Sequence, residues 1–491
     1  MDEKLILVLD EGTTSTRAML FAADGSLRGT AQEELTQHYP QDGWVEHDAV
    51  EIWDKTLSVA RAAARQAGGV RHIAAIGITN QRETVVAWDR ETGEPLARAI
   101  VWQDRRTAGL CAELKNAGHE DAVRAKTGLL LDPYFSGTKM RWLLDNEGAV
   151  ADSAGRGTLA FGTIESWLVW KLTGGAAHIS DASNASRTLL MALDGADWDE
   201  ELCALMGVPR AALPTICNSA GQLAHSAPEM LGAAIPICGL AGDQQAATIG
   251  QGCLAPGETK ATYGTGAFIL ANAGTTPPKS QFRLLGTVLY QLDGARHYAI
   301  EGAVFVAGSL IQYLRDSLGL IGNAAETEAL ARSIDDSGGV VIVPALSGLG
   351  APHWRPDARA SISGLSFASG KAHIARAALE AMAHQTADLA GAFADDGVEW
   401  TRLKVDGGMT ANDWMVQDIA DILRIEVIRP VMVETTALGA AMLAAVGCAM
   451  HKSLHDAAAA MIGAQDSFHA QMSDHDRNRR RAHWGRAIAK V

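Results

Sequence analysis

The sequence has 491 residues, of which 47% are hydrophobic and 20% are charged, a composition typical of a soluble globular protein with two domains of similar size. Its formal net charge of −15 argues against nucleic acid or an anionic membrane as the main partner, although it is compatible with a nucleotide ligand. No apolar run approaches the ~20 residues of a membrane span, and the six cysteines lack metal-ligand spacing, which predicts reduced thiols in a cytoplasmic protein.

Short β-rich runs alternate with Ala- and Leu-rich helical stretches along the whole chain, which predicts an α/β fold. The predicted strands include residues 5–9, 73–78, 340–343 and 403–405. The predicted helices include residues 51–66, 373–394, 414–423 and 436–445. A Gly- and Pro-rich segment at 250–257 predicts the domain boundary, which gives domains 1–250 and 251–491. The densely charged run 474–486 is interpreted as a solvated helix end.

Both predicted domains begin with an apolar hairpin whose turn contains Gly-Thr. The first turn holds Gly12-Thr13 and the second holds Gly264-Thr265. A single turn of this kind is common between hairpin strands and indicates no function. Its recurrence at corresponding places in two halves favours a cleft with a phosphate-binding turn on each wall.

The first hairpin turn follows Asp10 and reads Glu-Gly-Thr-Thr-Ser. Its glycine allows a ligand to approach the backbone, and the amides and hydroxyls of Thr13, Thr14 and Ser15 are donors for phosphate oxygens. Asp10 is a candidate ligand of Mg²⁺ through water, because this ion gives up its hydration shell reluctantly. Arg17 either neutralises phosphate or is an ordinary surface charge.

Two further turns between a strand and a helix carry polar side chains. Asp243 follows an apolar segment, and its default role is to cap a helix that begins at Gln244. The same carboxylate suits a general base that takes the proton of an attacking hydroxyl, and the two roles are compatible. The Gly407-Gly408 turn, followed by Asn412, suits an adenine ring or its phosphates, and equally a tight turn with an Asn cap.

A fourth set of residues suits a small polyhydroxylated substrate. Arg82 and Glu83 are adjacent and cannot easily satisfy each other, so their heads can present donors and acceptors to vicinal hydroxyls. Trp102 and Phe268 would shield the carbon skeleton, and Tyr134 lies in a nearby polar turn. Taken singly, each residue has a structural explanation as an ion pair, a core aromatic or a turn. The sequence holds no GxxxxGK[ST] loop, no GxGxxG turn after a strand and no HExxH motif, so neither a Walker-type ATPase nor a histidine metal site is supported.

Taken together, these segments resemble the FGGY family of carbohydrate kinases, in the actin-like ATPase superfamily, over nearly the whole chain. The resemblance is very specific, because chance does not place so many long strings in the same order. The matching strings are DEGTTSTR, QHYPQDGWVEHD, GITNQRET, AIVWQDRRTA, DPYFSGTKMRWLLD, AGDQQAA, TYGTGAF, EGAVFVAGSLIQYLRD, SGLGAPHW, DGGMTANDW and RPVMVETTALGAA.

The resemblance implies two actin-like (ribonuclease H-like) α/β domains with the active site in the cleft between them. It implies in-line phosphoryl transfer from ATP, with Mg²⁺, to glycerol, giving sn-glycerol 3-phosphate, and Asp243 as the general base. The positions that match the family's glycerol contacts are Arg82, Glu83, Trp102, Tyr134, Asp243, Gln244 and Phe268. The positions that match nucleotide contacts are Thr13, Thr14, Ser15, Arg17, Thr265, Gly308, Gln312, Gly408 and Asn412. Asp10 and Asp243 match the metal positions.

Several positions depart from the family's pattern. Glu11 stands where many relatives have Gln, and we expect its extra negative charge near the phosphates to alter Mg²⁺ or ATP affinity. Arg355 and Ala360 replace a commoner Asp and Gly and are expected to adjust packing beside the cleft. Some bacterial relatives bind fructose 1,6-bisphosphate through a Gly-Thr-Arg segment that reads Gly-Ala-Ala at 232–234 here, so no such inhibition is expected. The C-terminal segment that docks a phosphotransferase-system protein is also unmatched.

Two alternatives to this function are open at the level of sequence. A kinase for another small polyol or triose, such as erythritol or dihydroxyacetone, would show changes in the pocket, whereas every polyol position matches. A non-catalytic actin-like ATP-binding module would not need Asp243, which is present. The resemblance also implies a homodimer or homotetramer, and the net charge argues against a nucleic-acid partner.

Overall fold

The computed structural model describes residues 3–491, and most of its strands lie in two large sheets. The strands are β1 (Leu5–Glu11), β2 (Ser15–Phe21), β3 (Leu27–Glu34), β4 (Glu46–His47), β5 (Ile73–Asn80), β6 (Val86–Asp89), β7 (Ala99–Ile100), β8 (Leu159–Gly162), β9 (Ile179–Asp181), β10 (Thr215–Cys217), β11 (Ala220–His225), β12 (Pro236–Gly242), β13 (Glu258–Tyr263), β14 (Ala267–Gly274), β15 (Leu285–Leu292), β16 (Ala295–Val304), β17 (Val341–Val343), β18 (Ser361–Ser363), β19 (Arg402–Asp406), β20 (Glu426–Pro430) and β21 (Gln465–Phe468). The α-helices are α1 (Ala49–Gln66), α2 (Ala108–Asn116), α3 (Glu120–Thr127), α4 (Ser136–Asn146), α5 (Gly148–Arg156), α6 (Ile164–Leu172), α7 (Ala182–Ala185), α8 (Glu200–Met206), α9 (Pro228–Leu231), α10 (Asp243–Gly250), α11 (Gly308–Asp316), α12 (Glu326–Arg332), α13 (Lys371–Asp395), α14 (Asp413–Leu423), α15 (Thr435–Gly447), α16 (Leu454–Met461) and α17 (Asp474–Ile488).

The first sheet joins an antiparallel meander to a group of parallel strands. Its strand order is β11-β12-β5-β1-β2-β3, and β1, β2 and β3 pair antiparallel. The central strands β12, β5 and β1 run parallel to one another. Strand β1 (LILVLDE) is buried along its whole length, as expected for a strand covered on both faces. Helix α1 packs on the meander, and α15 packs against β12, β5 and β1.

The second sheet repeats the strand arrangement of the first, with one strand added at an edge. Its order is β15-β16-β14-β13-β19-β20-β21, in which β14 pairs antiparallel with β13 and β16, β15 is the added edge strand, and β19 and β20 run parallel to β13. The hairpin β13-β14 therefore corresponds to β1-β2, and their Gly-Thr turns occupy corresponding places. The predicted α/β fold and the predicted pair of hairpins are both confirmed.

Helix α15 belongs to the second half by sequence but packs on the sheet of the first half. It is apolar on all sides, and most of its residues are buried. Its closest neighbour is α10, and a Cβ added to Gly439 would lie 1.8 Å from the carbonyl oxygen of Ala246. Only glycine permits this approach. The contact fixes the position of α10, whose first residue is Asp243.

The eight elements named from the sequence are all present, and their ends differ from the predicted ends by about two residues or less. The six cysteines, all within the described residues, are unpaired, and four of them are buried. Among residues 3–491 no helix is both long and apolar enough to cross a membrane. The domain boundary near residue 250 stays a prediction.

The C-terminal helix α17 differs from the solvated end that the charged run predicted. The side chain of Trp484 is only 1% exposed, and its indole N–H donates to Asp388 Oδ2 at 2.7 Å. Arg480 pairs with the buried Asp418 at 2.5 Å. The charges of this helix therefore face buried carboxylates of the second half, so the prediction of a solvated helix end is wrong for this face.

Arg355 and Ala360, which were expected to adjust packing beside the cleft, have other surroundings in the structure. Arg355 donates to the backbone oxygen of Ile488 at 3.2 Å, at the end of α17. Its role is therefore to hold α17, whereas Ala360 is exposed immediately before β18.

Candidate active site

Three neighbouring parallel strands end at one edge of the first sheet, and each end carries a predicted site residue. Asp10 lies near the end of β1, Arg82 and Glu83 follow β5, and Asp243 follows β12. Because β5 pairs with both β1 and β12, these side chains converge from the same edge. The carboxyl ends of such strands are the usual place for a ligand in open α/β sheets.

Arg82 and Glu83 form a buried charge cluster with two further residues. Arg82 Nη1 lies 2.7 Å from Glu301 Oε2, and Arg187 Nε lies 2.6 Å from Glu83 Oε1. The two adjacent heads stand 3.9 Å apart, measured from Arg82 Nε to Glu83 Oε1. Burial raises the pKa of Glu83, and the two guanidinium groups partly offset it. Burial also acts to raise the pKa of Glu301, but Arg187 and Arg82 outweigh it and hold that pKa at about 2.

Aromatic side chains join this cluster to the first hairpin turn. Arg82 Nη2 donates to the Tyr134 hydroxyl at 3.3 Å, and the Tyr134 ring meets Trp102 edge-on with centroids 5.7 Å apart. The Trp102 indole N–H donates to Thr13 Oγ1 at 2.9 Å. Phe268 on β14 pairs with Ala303, two residues from Glu301 on the same face of β16. The structure therefore brings the predicted polyol contacts to one place, directly beside a predicted phosphate contact.

Asp243 begins helix α10, whose N-cap is Gly242 rather than the aspartate itself. Its Oδ1 accepts from the backbone N–H of Gln244 at 2.7 Å and lies 3.2 Å from Arg82 Nε. The Gln244 side-chain oxygen accepts from Lys260 Nζ at 2.7 Å. Burial raises the pKa of Asp243, and the charges of Arg82 and Lys260 oppose that rise. Asp243 is therefore the first residue of α10 and not its N-cap as predicted, although its carboxylate still accepts a backbone N–H of the first turn.

Arg17 is not an ordinary surface charge. Its Nη2 pairs with Asp10 Oδ2, and its Nη1 lies 2.6 Å from Glu434 Oε2, which comes from the second half of the chain. Burial raises the pKa of Asp10, and the Arg17 guanidinium partly offsets this. The pair places a cation beside the first turn, between an acid of each half.

Glu11 does not add the charge that its departure from the family pattern predicted. Its carboxyl group is fully buried, and Oε2 accepts from Thr56 Oγ1 on helix α1 at 2.8 Å. Burial raises the pKa of Glu11 to about 8, against the opposing hydrogen bonds of Thr16 and Thr56. At neutral pH the carboxyl group of Glu11 is therefore mostly protonated, and it faces α1. The prediction of an extra negative charge near the phosphates is wrong.

The second hairpin turn opens onto a cavity of about 480 Å³. The predicted nucleotide residues that line it are Thr265, Gly308, Gln312, Gly408 and Asn412. Its other walls are mainly apolar and include Ile311, Ala324, Ala325, Leu379 and Met409. A cavity with mainly apolar walls and a few polar groups, here including Arg315 and Glu328 at its wall, is the form expected of a small-molecule site and suits an adenine ring.

Asn412 has both of the roles that its position in the Gly-Gly turn allowed. Its side-chain oxygen caps α14 by accepting from the N–H of Met415 at 3.0 Å. Its amide donates to Thr327 Oγ1 at 3.2 Å, at the wall of the cavity. The cap therefore orients the residue without removing it from the cavity.

Four charged residues of this site were not singled out from the sequence: Glu301, Arg187, Lys260 and Glu434. Glu301 and Lys260 lie within largely buried strands, β16 and β13. A buried charge requires a partner, so a charge inside such a strand is a signal that sequence reasoning can use. Arg187 follows a polar segment, and Glu434 follows a short apolar segment whose valines are exposed, so neither gives a comparable signal.

The first turn and α10 offer a donor set suited to Mg²⁺. Asp10 and Asp243 place two carboxylates at the ends of β1 and β12, with only β5 between them. Magnesium held with a nucleotide takes one or two carboxylates and completes its shell with phosphate oxygens and water. These residues fit that pattern. Across residues 3–491 there is no group of three or more His, Cys, Asp or Glu side chains placed to hold a metal.

The paired hairpin turns, the acidic strand ends and the apolar slot define a phosphotransferase of the actin-like type, and the family comparison agrees. Residues 5–250 match the N-terminal domain of the FGGY family of carbohydrate kinases, and residues 259–448 match its C-terminal domain. The chain belongs to this family.

Within the family the chain is similar to proteins named glycerol kinase. One from Dechloromonas aromatica is 53% identical, with 99% of this chain and 97% of the relative covered. One from Deinococcus radiodurans is 51% identical, with 100% and 98% covered. The crystal structure of Plasmodium falciparum glycerol kinase with ADP superposes with a TM-score of 0.95 at 34% identity, covering 99% of this chain and 98% of that one.

Proposed function

We propose that this chain transfers the γ-phosphoryl group of ATP to a terminal hydroxyl of glycerol, giving sn-glycerol 3-phosphate. The observation that carries the proposal is the setting of Asp243. Its side chain is 35% exposed, whereas its partner Arg82 is only 2% exposed. It is therefore an accessible carboxylate in a buried charge cluster, next to two turns that suit phosphate. The names of the relatives at 51–53% identity support glycerol as the acceptor.

In this proposal Asp243 is the general base. A hydroxyl that attacks phosphorus must lose its proton, and a carboxylate within hydrogen-bond reach accepts it. The raised pKa of Asp243 makes it a stronger base than an exposed aspartate. Arg82 and Glu83 bind the vicinal hydroxyls, Trp102, Tyr134 and Phe268 enclose the carbon chain, and Gln244 completes the polyol contacts.

The nucleotide lies between the two halves, for which we propose the domains 1–250 and 251–491. Thr13, Thr14, Ser15 and Arg17 bind phosphate from the first domain. Thr265, Gly308, Gln312, Gly408 and Asn412 bind the nucleoside side from the second. Asp10 and Asp243 would hold Mg²⁺, which neutralises charge on the transferring phosphoryl group when it is bound.

The test is ADP release by the purified protein with Mg-ATP and a panel of acceptors: glycerol, dihydroxyacetone, erythritol and common sugars. Asp243→Asn is assayed beside the wild type, with Asp48→Asn as the matched control. Asp48 also binds a neighbouring helix amide, from Val50 at 2.8 Å, but lies at the start of α1. The product is assayed with an enzyme that oxidises only the sn-3 phosphate.

We expect turnover with glycerol, a loss of about 10²–10⁴-fold in kcat for Asp243→Asn, and no loss for Asp48→Asn. Turnover with another acceptor only would overturn glycerol as the substrate. No turnover with any acceptor would overturn the kinase itself. Cytoplasmic location, assembly as a homodimer or homotetramer, and insensitivity to fructose 1,6-bisphosphate and to the phosphotransferase system stay predictions.

A further inference from the structure

Glu301 belongs to the second half of the chain and contacts residues of the first half beside the predicted polyol site. It lies on β16, and its carboxylate contacts two arginines that come from the first half. Oε2 is 2.7 Å from Arg82 Nη1, and Oε1 is 3.1 Å from Arg187 Nη2. The side chain of Glu301 is 3% exposed and those of the two arginines are 2% and 0% exposed, so the contacts are shielded from water.

Arg187 links Glu301 to Glu83, the second residue predicted to bind the polyol. Its Nε donates to Glu83 Oε1 at 2.6 Å while its Nη2 contacts Glu301. Its guanidinium carbon also lies 5.2 Å from the ring centre of Phe135. Two nitrogens of the planar guanidinium therefore each contact a different carboxylate, and an aromatic ring lies beside it, which restricts its position. Its third nitrogen, Nη1, has no hydrogen-bond partner among the described residues.

We propose that Glu301 and Arg187 are positioning residues for the polyol. Glu301 orients Arg82 directly, and it orients Glu83 through Arg187. The proposal rests on the proposed function, because it takes Arg82 and Glu83 as the groups that bind the substrate hydroxyls. Neither Glu301 nor Arg187 needs to touch the substrate for this role.

The geometry of Arg82 shows why a second carboxylate matters. Its guanidinium is shared between Asp243, 3.2 Å from Nε, and Glu301, 2.7 Å from Nη1. Without the charge of Glu301, Asp243 becomes the nearest carboxylate that can attract Arg82 strongly. We expect the guanidinium to shift toward Asp243 and away from the position that binds a hydroxyl. A displacement of about 1 Å in a positioning group is enough to weaken a bound substrate markedly.

A purely structural ion pair between the two halves is the competing explanation. It predicts lower stability with unchanged apparent affinity for glycerol in the folded fraction. A positioning role predicts a selective rise in the KM for glycerol. The ratio of the two KM values separates these outcomes, because a loss of folded protein lowers the apparent kcat and leaves both KM values unchanged.

The experiment measures KM for glycerol and for ATP in the wild type, Glu301→Gln, Arg187→Lys and the double variant. Glu380→Gln is the matched control, because Glu380 is also buried and paired with two arginines of the second half. Its Oε1 accepts from Arg376 Nε at 3.1 Å and lies 3.7 Å from Arg480 Nη2. Thermal unfolding of every variant reports the stability change separately.

We expect Glu301→Gln to raise the KM for glycerol about tenfold or more and to leave the KM for ATP within about twofold. Arg187→Lys keeps the charge but loses the fork that spans both carboxylates, so it changes the same KM in the same direction. The double variant should fall short of the product of the single effects, because both act through one network. Glu380→Gln should change stability alone.

The proposal is overturned if Glu301→Gln and Arg187→Lys leave the KM for glycerol within about twofold of the wild-type value, or raise both KM values equally. If Glu301→Gln does not fold, Arg187→Lys decides the matter alone. Failure of the proposed function is seen in the wild type instead. If the wild type uses another polyol, the same ratios are measured with that polyol; if it uses none, both proposals fail.

Discussion

Replacing Glu11 with Gln isolates the effect of one buried carboxyl group beside the phosphate turn. Glutamine has nearly the same shape and keeps an oxygen that can accept from Thr56, 2.8 Å from the present Oε2. Oε1 of Glu11 has no hydrogen-bond partner among the described residues, so the substitution breaks no existing bond there. What changes is that the side chain can no longer ionise.

The magnitude follows from the pKa of Glu11, which burial raises from 4.5 to about 8. The folded state therefore binds this proton more tightly than the unfolded state does. The stabilisation is fully present below pH 4.5 and is lost as the pH rises toward 8. At about 1.4 kcal/mol per unit, a gap of about three and a half units sets a ceiling of about 5 kcal/mol. Between about pH 5 and about pH 8 we expect a loss of about 3.5 kcal/mol in the wild type.

The assay is thermal unfolding of the wild type and Glu11→Gln across that pH range. The difference between the two proteins cancels other groups, such as Glu165, whose pKa burial raises to about 7. The melting temperature of Glu11→Gln should rise relative to that of the wild type as the pH rises, by about 1–2 °C for each kcal/mol in a chain of this size. Glu91→Gln, at an exposed position, controls for the loss of one carboxylate. A difference that is constant with pH, or that grows toward acid, would refute the reasoning.

Two further substitutions test the electrostatics of the base and the packing of α15. Lys260 is buried and its charge opposes the rise in the pKa of Asp243, so Lys260→Met should move the acid limb of the kcat/KM profile for glycerol to higher pH. An unmoved limb would contradict this. Gly439→Ala places a Cβ 1.8 Å from a carbonyl oxygen and should cost about 3 kcal/mol in chemical denaturation. Gly391→Ala in α13, where nothing lies within 4 Å, should instead stabilise by about 0.5–1 kcal/mol.

The parts of the fold that the sequence predicted are those whose local pattern is unambiguous. The apolar run of β1 and the long periodic pattern of α13 each have one obvious structure. The position of α15 was not predictable in the same way. That helix is apolar on all sides, so its sequence indicates burial but not which sheet covers it. The error at α17 has a related cause, since Arg480 is largely buried through an ion pair with Asp418 that no local pattern reveals.

In the candidate site, too, the sequence predicted the residues that local patterns mark and missed the contacts between distant parts of the chain. Residues in the turns after β1, β5 and β12 could be proposed because the strand ends and the family strings mark them. Glu301 and Arg82 are 219 residues apart in the chain, and Arg187 and Glu301 are 114 apart. A single sequence does not show that residues so far apart in the chain form a pair. Only the folded chain shows that the predicted polyol residue Arg82, and through Arg187 also Glu83, is linked to a carboxylate of the second half.

The contacts between the halves are unequal, and the difference bears on how the cleft opens. Behind the predicted polyol residues the contacts between the halves are buried. Examples are the contact of Glu301 with Arg82 and the 3.0 Å hydrogen bond between the hydroxyls of Ser186 and Thr287. At the phosphate turn the link between Arg17 and Glu434 has side chains that are 27% and 28% exposed. Breaking a buried charged pair by separation leaves costly unpaired groups, whereas water replaces the partners of an exposed pair at little cost. Glu434 is also the N-cap residue of α15, which packs on the first sheet, so its pair with Arg17 does not resist separation of the halves. We therefore expect the buried contacts behind the predicted polyol residues, rather than this exposed pair, to resist opening of the cleft.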